Sequence, residues 1–403
     1  MSNIITGLDI GSNNIKVIVS EIKNNGRLSV LAAFKHPSAG FRKGFLVDYE
    51  DATVSLRNVI SDLRTVSPKA IKNVYVNVNG ANIKCCLSRG VAGVARADSE
   101  IRPDDKEKAI AASRAVNLSS NYSVLHNITR EFFVDGIGGI SDPIGMTGTR
   151  LEVSSFVVGV FSPIVNDLTK CLERNGVSIN GLVFGPLAAS EAVLSKQQKE
   201  LGVLMIDIGF GTVGITIYEE NKIIKAVSLP VGSCNISNDI AIGLRISTAA
   251  AEKIKLTYGF ALAKEASRRE VINLQEVDSS VKGEIAKRYL SEIIEARLAE
   301  IFETINNEIK NLEAKVDLPA GIVITGGGAK LPGIVDLARQ ELKLPTQIGI
   351  PELSLFDIKE PACQDLISDS EFATAVGLTL KGLGQEGFSQ PSFFKKFLQN
   401  LIP

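Results

Sequence analysis

The sequence predicts an α/β fold in two lobes of similar construction, with a small α+β module inserted in the first and an amphipathic helix at the C-terminus. Three observations carry this expectation. An apolar run ending in Asp-x-Gly occurs twice: Ile4 to Leu8 leads into Asp9-Ile10-Gly11-Ser12-Asn13, and Gly202 to Ile206 leads into Asp207-Ile208-Gly209-Phe210-Gly211-Thr212. The two aspartates stand 198 positions apart (207 − 9), about half the chain. A third glycine turn, Gly326-Gly327-Gly328-Ala329, closes the run Gly321 to Thr325, and an amphipathic segment from Ser392 to Ile402 follows a glycine-rich break at Gly382.

Composition permits such a fold. A chain of 403 residues exceeds what one hydrophobic core ordinarily organises, so two or more lobes are expected. Hydrophobic residues at 45% and charged residues at 22% are the balance of a globular protein. With 44 basic against 45 acidic residues the chain as a whole has no electrostatic basis for wrapping nucleic acid, and any attraction to a membrane must be local. The five cysteines, Cys85, Cys86, Cys171, Cys234 and Cys363, lack CxxC spacing and read as reduced, packed thiols of a cytosolic protein. Two histidines, His36 and His126, are too few to suggest a His-ligated zinc or a His-based triad. Met1-Ser2-Asn3 runs straight into a strand without a signal segment, and no apolar run approaches the roughly 20 residues of a spanning helix, so a cytoplasmic chain is expected.

Alternation continues past each aspartate, through Ile15, Val17 and Val19 in the first copy and Ile215, Ile217 and Tyr218 in the second. Each copy therefore reads as a β-hairpin with an Asp-Gly turn. Neither a P-loop nor a GxGxxG dinucleotide turn is present at these places, since both lead into a helix. Between the hairpins the pattern gives a helix over Tyr49 to Thr65 and a strand over Val74 to Val78. The following block contains a helix at Asp104 to Val116, opened by Arg102-Pro103-Asp104, and a strand at Val153 to Phe161. Further on, Ser247 to Lys255 and Ala286 to Ala314 read as helices. Along the second, Leu290, Ile294, Leu298, Ile301, Ile305, Ile309 and Leu312 recur at steps of three and four, which core burial explains.

Glycines suit phosphate or ribose contact because backbone N–H groups can close on oxygens where no Cβ intervenes. A carboxylate on each hairpin can hold Mg²⁺ through water, since that ion keeps much of its hydration shell. Any one such turn is an ordinary hairpin feature. Three in order, each ending an apolar strand, favour a nucleotide site.

On these residues the chain resembles the superfamily of actin, Hsp70 and hexokinase. That resemblance implies an actin-like (ribonuclease H-like) two-lobed ATPase fold with ATP clamped between the lobes. By matching position, Asp9, Gly11, Ser12, Asn13, Asn14 and Lys16 correspond to the first phosphate loop, and Asp207, Gly209, Gly211 and Thr212 to the second. Asp9 and Asp207 are the implied Mg²⁺ carboxylates, and Gly326, Gly327 and Gly328 the adenosine loop. Glu252 and Lys255, three apart on one helical face, match a Glu and Lys that contact ribose and adenine; a surface ion pair is the other reading of that spacing. Pro186 to Leu194 and Phe372 to Leu380, with Ala188, Ala189, Ala373, Ala375 and Gly377, resemble the two connecting helices at the hinge.

Longer stretches resemble the bacterial FtsA cell-division family: Thr6 to Gly11, Arg130 to Gly136, Asp142 to Glu152, and Asn238 to Arg245. The likeness covers nearly the whole chain, and the middle module matches that family's extra domain. It implies a first lobe of 1–82 and 162–196, an inserted domain at 83–161, a second lobe of 197–225 and 305–381, and a subdomain at 226–304. A linker at 382–391 and an amphipathic helix at 392–403 follow. It further implies a filament-forming protein on the cytoplasmic face of the membrane at the division septum. There it would tether the tubulin-like protein FtsZ by its C-terminal peptide and recruit later division proteins through the inserted domain. Lys287, Arg288 and Arg297 are candidates to meet that peptide's acidic groups, a solvated helix face being the alternative. Phe210 stands where the family usually has Gly, and Gly214 where it often has Asp, so the second phosphate loop is bulkier and less acidic. No carboxylate or Gln is evidently placed to orient an attacking water, so ATP binding with slow or negligible turnover is expected.

In the tail, Phe393, Phe394, Phe397, Leu398 and Leu401 fall on one helical side, and Lys395, Lys396, Gln399 and Asn400 on the other. Such a helix suits a membrane surface, with its lysines near anionic head groups. Docking on the protein body is the alternative, against which the flexible linker argues, with its reach of roughly 17 Å. Each basic residue adds about 1 kcal/mol at such a surface, so one tail binds modestly and a filament binds by avidity. A hexokinase-type small-molecule kinase would need a catalytic Asp and a sugar-binding segment that are not evident. An adaptor of a pilus or secretion machine would share the fold but not the Arg130 to Glu152 stretch.

Overall fold

The computed structural model describes residues 3–267, 269–277, 283–312 and 316–384. The predicted linker beyond 384 and the amphipathic tail lie outside the described residues.

Two sheets share one plan. In the first, Ile4–Ile10 pairs antiparallel with Asn14–Ile22 and parallel with Val74–Val78. In the second, Val203–Ile208 pairs antiparallel with Val213–Glu219 and parallel with Ile322–Thr325. The registers coincide: Asp9 faces Lys16 and Asp207 faces Gly214, each seven positions on (16 − 9 and 214 − 207). The sequence repeat is thus a structural repeat. The first sheet reaches six strands and the second five. Their inner residues, among them Leu8, Val17, Leu204 and Ile215, are fully buried, as expected of sheets covered on both faces.

The aspartates do not form the turns, contrary to the Asp-Gly hairpin expected. The ladder runs one pair beyond them, through Ile10–Ile15 and Ile208–Val213, and the turn falls on the glycines. Gly11 N–H donates to Asn14 O at 3.1 Å and Gly209 N–H to Thr212 O at 2.9 Å. Burial of Ile10 and Ile208 favours this longer ladder and leaves each carboxylate near a strand end.

Between the sheets cross the helices Gly185–Val193 and Ala373–Gly382. Their small residues permit near backbone contact: a Cβ on Gly377 would lie 1.8 Å from Ala188 O. The inserted module is a four-stranded antiparallel sheet, in spatial order 83–93, 150–161, 122–134 and 137–140, covered by the helix Pro103–Ser113. That helix ends three residues short of the expected Val116, where the chain turns through Arg114 to Leu118. The module joins the first lobe where Phe184 N–H donates to His126 Nε2 at 2.9 Å. It also touches the second lobe, because Lys222 Nζ lies 3.1 Å from Glu131 Oε2.

The long helix runs Lys287–Lys310, shorter than the expected Ala286 to Ala314, and buries Leu290, Ile294, Leu298, Ile301 and Ile305 against the second core. All five cysteines are free thiols, Cys171 and Cys363 being buried. Among the described residues no helix is long and apolar enough to cross a membrane.

Candidate functional site

A cleft of about 460 Å³ opens between the two sheets. Its lining includes Asp9, Gly11, Ser12, Asn13, Asn14 and Lys16 from one hairpin and Asp207, Gly209, Gly211 and Thr212 from the other. Glu252, Lys255 and Gly326 to Gly328 complete the predicted set on its walls.

The floor is a charge cluster. Asn77 Nδ2 donates to Asp9 Oδ1 at 2.7 Å while its own Oδ1 accepts from Ile10 N–H at 2.7 Å, which fixes the amide and the aspartate together. Lys16 Nζ sits 3.2 Å from Asp9 Oδ2. Burial alone would lower the Lys16 ammonium, but Asp9, Glu371 and Asp207 outweigh it and raise its pKa. Lys16 therefore belongs to the acidic floor as its counter-charge. Burial, followed by the nearby Asp9, pushes Asp207 up to about 6, Lys16 and a bond from Thr374 Oγ1 at 3.3 Å offsetting part of this. Two carboxylates in one cleft, one of them held protonatable by desolvation, are a donor set that fits a hydrated divalent cation.

The glycines divide into two jobs. A Cβ on Gly211 would fall 2.8 Å from Ser12 Oγ, so the two hairpin tips meet across the cleft. Gly326 has φ of +85°, and a Cβ there would lie 2.2 Å from Asp207 Oδ1; one on Gly328 would lie 2.3 Å from Ile208 Cγ2. These two let the loop pack on the neighbouring strand. Gly327 differs: an added Cβ would meet only Glu371 Cβ, at 4.0 Å. Its backbone faces the open cleft.

Glu252 and Lys255 are not a surface pair. Lys255 is 6% exposed, its Nζ lies 2.6 Å from Glu252 Oε2 and donates to Ser237 Oγ at 3.0 Å and Ser233 O at 3.2 Å, and burial lowers its pKa against the pull of Glu252. Phe210 lies beside this pair, its ring centroid 5.7 Å from Lys255 Nζ. A Cβ at Gly214 would fall 2.5 Å from Pro186 Cγ, so the hinge helix occupies the space an Asp side chain would enter.

Several cleft residues escaped the sequence reading. Glu371 Oε1 lies 3.0 Å from Lys35 Nζ, and its other oxygen 3.6 Å from Lys330 Nζ, which also pairs with Asp369. Asn77 had a signal, a lone polar residue within an apolar strand, which in a buried strand calls for a partner. Glu371 and Thr374 had none, because only the fold brings residue 371 beside residue 35. The three cations proposed for a partner are all engaged: Lys287 with Glu270 at 2.9 Å, Arg288 with Glu292 at 3.2 Å, and Arg297 with both Asp239 and Glu300. Arg297 holds Asp239 bidentately, its second bond being 3.0 Å. None of them presents an unpaired charge.

Comparison with known proteins places this geometry. The family model described as cell division protein FtsA matches residues 204–377, and that of the SHS2 domain inserted in FtsA matches residues 80–159. The cell division protein FtsA of Pseudomonas aeruginosa is 33% identical over 382 residues, spanning 95% of this chain and 90% of that protein. The Bacillus subtilis protein of the same name is 33% identical over 377 residues, spanning 94% and 83%. Among solved structures, a chain of a PilM-PilN type IV pilus biogenesis complex superposes with a TM-score of 0.67 at 17% identity, over 94% of this chain and 98% of that one. MreB5 of Spiroplasma citri bound to ADP superposes with a TM-score of 0.53 at 15% identity, over 99% of both chains. The structural likeness establishes an actin-like fold, and the second family model identifies an SHS2 insertion in it. On the sequence relatives, this chain belongs to the FtsA family of cell division proteins.

Proposed function

We propose that the chain is an ATP-binding, actin-like division protein that polymerises on the cytoplasmic face of the membrane and tethers the FtsZ ring there. The observation that carries this reading is the convergence of three distant glycine turns and two hairpin carboxylates on one cleft. MreB5, which shares the fold, has been solved with ADP and with AMPPNP. Gly11 to Asn14 and Gly209 to Thr212 would hold the phosphates by backbone N–H groups, Gly327 would face the adenosine, and Glu252 with Lys255 would border the ribose and base. Asp9 and Asp207 would hold Mg²⁺ through water, and that ion would neutralise phosphate charge. Lys16, 3.2 Å from Asp9, would stand beside these carboxylates as their counter-charge. Turnover is slow, since Glu371, the cleft carboxylate outside the floor and the Glu252–Lys255 pair, is tied to Lys35 and Lys330 rather than free to orient water.

In this reading the inserted domain at 83–161 serves later division partners or filament contacts, and 226–304 receives the acidic C-terminal peptide of FtsZ. Because Lys287, Arg288 and Arg297 are already paired, the peptide would have to exchange with Glu270, Glu292 and Glu300, a substitution of one ion pair for another that adds little net affinity. The segment Phe393 to Leu401 would anchor filaments by many weak contacts. Isothermal titration with ATP and Mg²⁺ tests the core claim; no heat of binding for the wild-type chain together with unchanged unfolding temperature would refute it. Removal of Phe388 to Pro403 should leave filaments visible by electron microscopy while abolishing co-sedimentation with anionic vesicles, and retained co-sedimentation would refute the anchor.

A further inference from the structure

Four lysines line the cleft, and each is committed to an acid. Lys16 pairs with Asp9, Lys35 with Glu371, Lys255 with Glu252, and Lys330 with Asp369 and Glu371. A triphosphate carries more negative charge than one divalent cation offsets, and the two floor carboxylates add to it. A nucleotide held by these residues alone would therefore lack positive charge. The first lobe supplies a further cation at the rim of the cleft.

Phe41–Arg42 and Phe45–Leu46 form a minimal antiparallel hairpin, with Arg42 opposite Phe45 and only Lys43 and Gly44 in the turn. Both turn residues are left-handed, φ being +50° at Lys43 and +82° at Gly44. Positive φ at both positions marks a type I′ turn, whose first position favours Asn, Asp or Gly and strains a lysine. Local structure thus does not account for Lys43, and a side chain held against its backbone preference points to a use. The turn is fixed from behind. A Cβ on Gly44 would fall 2.6 Å from Asn79 C, one on Gly80 2.7 Å from the Phe45 ring, and Gly80 N–H donates to Ser228 Oγ of the second lobe at 3.2 Å.

The tip so held lies against the second hairpin. A Cβ on Gly211 would come 3.1 Å from Lys43 N and 3.3 Å from its Cα, beside its 2.8 Å approach to Ser12 Oγ. Three segments therefore meet at one point: the two hairpin tips of the cleft and the 41–46 turn. From there the flexible four-carbon stem of Lys43 reaches across the 209–212 loop. Burial raises the Cys234 thiol, and among the cations that oppose this Lys43 acts most strongly, ahead of Lys255 and Arg42, so its charge stands on the second-lobe side of the junction. Lys43 is half-buried, and among the described residues no carboxylate lies within ion-pair distance of it.

We propose that Lys43 is a further residue of the nucleotide site, the uncommitted cation that pairs with the phosphate chain of bound ATP and makes the site prefer a triphosphate to a diphosphate. The inference rests on the reading of the cleft as an ATP site. Phosphates held by the backbone of Gly11 to Asn14 and Gly209 to Thr212 come to the junction at which Lys43 stands. An ammonium there attracts the more highly charged chain more strongly. Because Lys43 belongs to the first lobe and Gly211 to the second, the same contact draws the two hairpins together over the phosphates.

The test is calorimetric titration of the full chain with Mg-ATP and Mg-ADP, comparing wild type with Lys43→Asn, Lys43→Arg and Arg42→Gln. Lys43→Asn removes the charge yet suits the left-handed turn, so without nucleotide its unfolding temperature should equal or exceed that of wild type, which excludes misfolding as a cause. It should weaken ATP binding about 10- to 100-fold, the loss of one charge-assisted hydrogen bond, and ADP binding by less. Lys43→Arg keeps the charge and should retain most of the affinity. Arg42→Gln makes the same change in charge on an exposed neighbour and should shift ATP binding by less than about two-fold, solvent screening its side chain. Wild-type ATP affinity in Lys43→Asn would overturn the inference while the ATP site itself stood. So would an equal loss for ATP and ADP, or a loss as large in Lys43→Arg or Arg42→Gln. Failure of the wild-type chain to bind ATP at all would sink the ATP reading and this inference with it.

Discussion

Replacing Asp207 by Asn should stabilise the nucleotide-free protein while removing its response to Mg-ATP. In the fold this carboxylate is pushed from 3.8 to about 6, first by burial and then by Asp9. The folded state therefore binds a proton more tightly than the unfolded state, the reverse of a salt-bridged aspartate. Its contribution to stability is fully present below the unfolded pKa, falls as pH rises through the interval between 3.8 and about 6, and is lost above it. A displacement of about two pH units corresponds to about 3 kcal/mol as an upper bound, and water in the open cleft reduces it to about 1–3 kcal/mol. Asparagine keeps the shape and can still accept from Thr374 Oγ1, but carries no charge. For a chain of this length the gain is about 1–3 °C in unfolding temperature. Scanning calorimetry of both chains without nucleotide, at pH values from about 4.5 to 7.5, should show a gap that grows with pH and levels off near neutrality. Addition of Mg-ATP should then raise the wild-type unfolding temperature and leave the variant unmoved. A variant that unfolds earlier than wild type near pH 7.5, or a gap independent of pH, would refute this account of the floor.

Other substitutions separate the glycines by job. Gly377→Ala places a methyl 1.8 Å from Ala188 O, so it should force the hinge helices apart and cost about 3 kcal/mol or more, read as a drop in soluble yield and unfolding midpoint. Gly328→Val should likewise destabilise through Ile208, whereas Gly327→Val should leave the unfolding midpoint near wild type and weaken ATP binding, measured by calorimetric titration. Glu252→Ala leaves the buried Lys255 without its counter-charge and should lower stability by about 2–4 kcal/mol; an unfolding midpoint within error of wild type would count against that burial. Steady-state hydrolysis above about one ATP per second, within the range of working enzymes, would contradict the tied-up Glu371.

The duplicated hairpins, their spacing and the apolar periodicity of the 287–310 helix were legible because each is a local pattern repeated in the chain. The turn was misplaced, since whether an aspartate sits in the turn or one rung before it depends on burial of Ile10 and Ile208, which no local signal reveals. The Glu252–Lys255 spacing was readable, but its burial was not, because Ser233 and Ser237 reach it from another helix. The clasp of Glu371 on Lys35 joins residues 336 positions apart, and that on Lys330 residues 41 apart (371 − 330), and neither left a trace in spacing. Gly214 read as a missing acid; only the proximity of Pro186 shows that packing, rather than chemistry, decides that position.

The inserted module is joined to the first lobe by His126 and by a shared apolar core that includes Leu125, Phe156 and Val158, and it reaches the second lobe through Lys222 and Glu131. A hinge that swings the lobes apart must accordingly either part this pair or carry the module with it. Partly exposed, the contact is worth at most about 1 kcal/mol. That is little more than thermal noise, so buried apolar packing, shared by Leu125, Phe156 and Val158 of the module with Val76 and Leu182 of the first lobe and Ile223 and Ala226 of the second, rather than this ion pair, ties the module's bearing to the cleft.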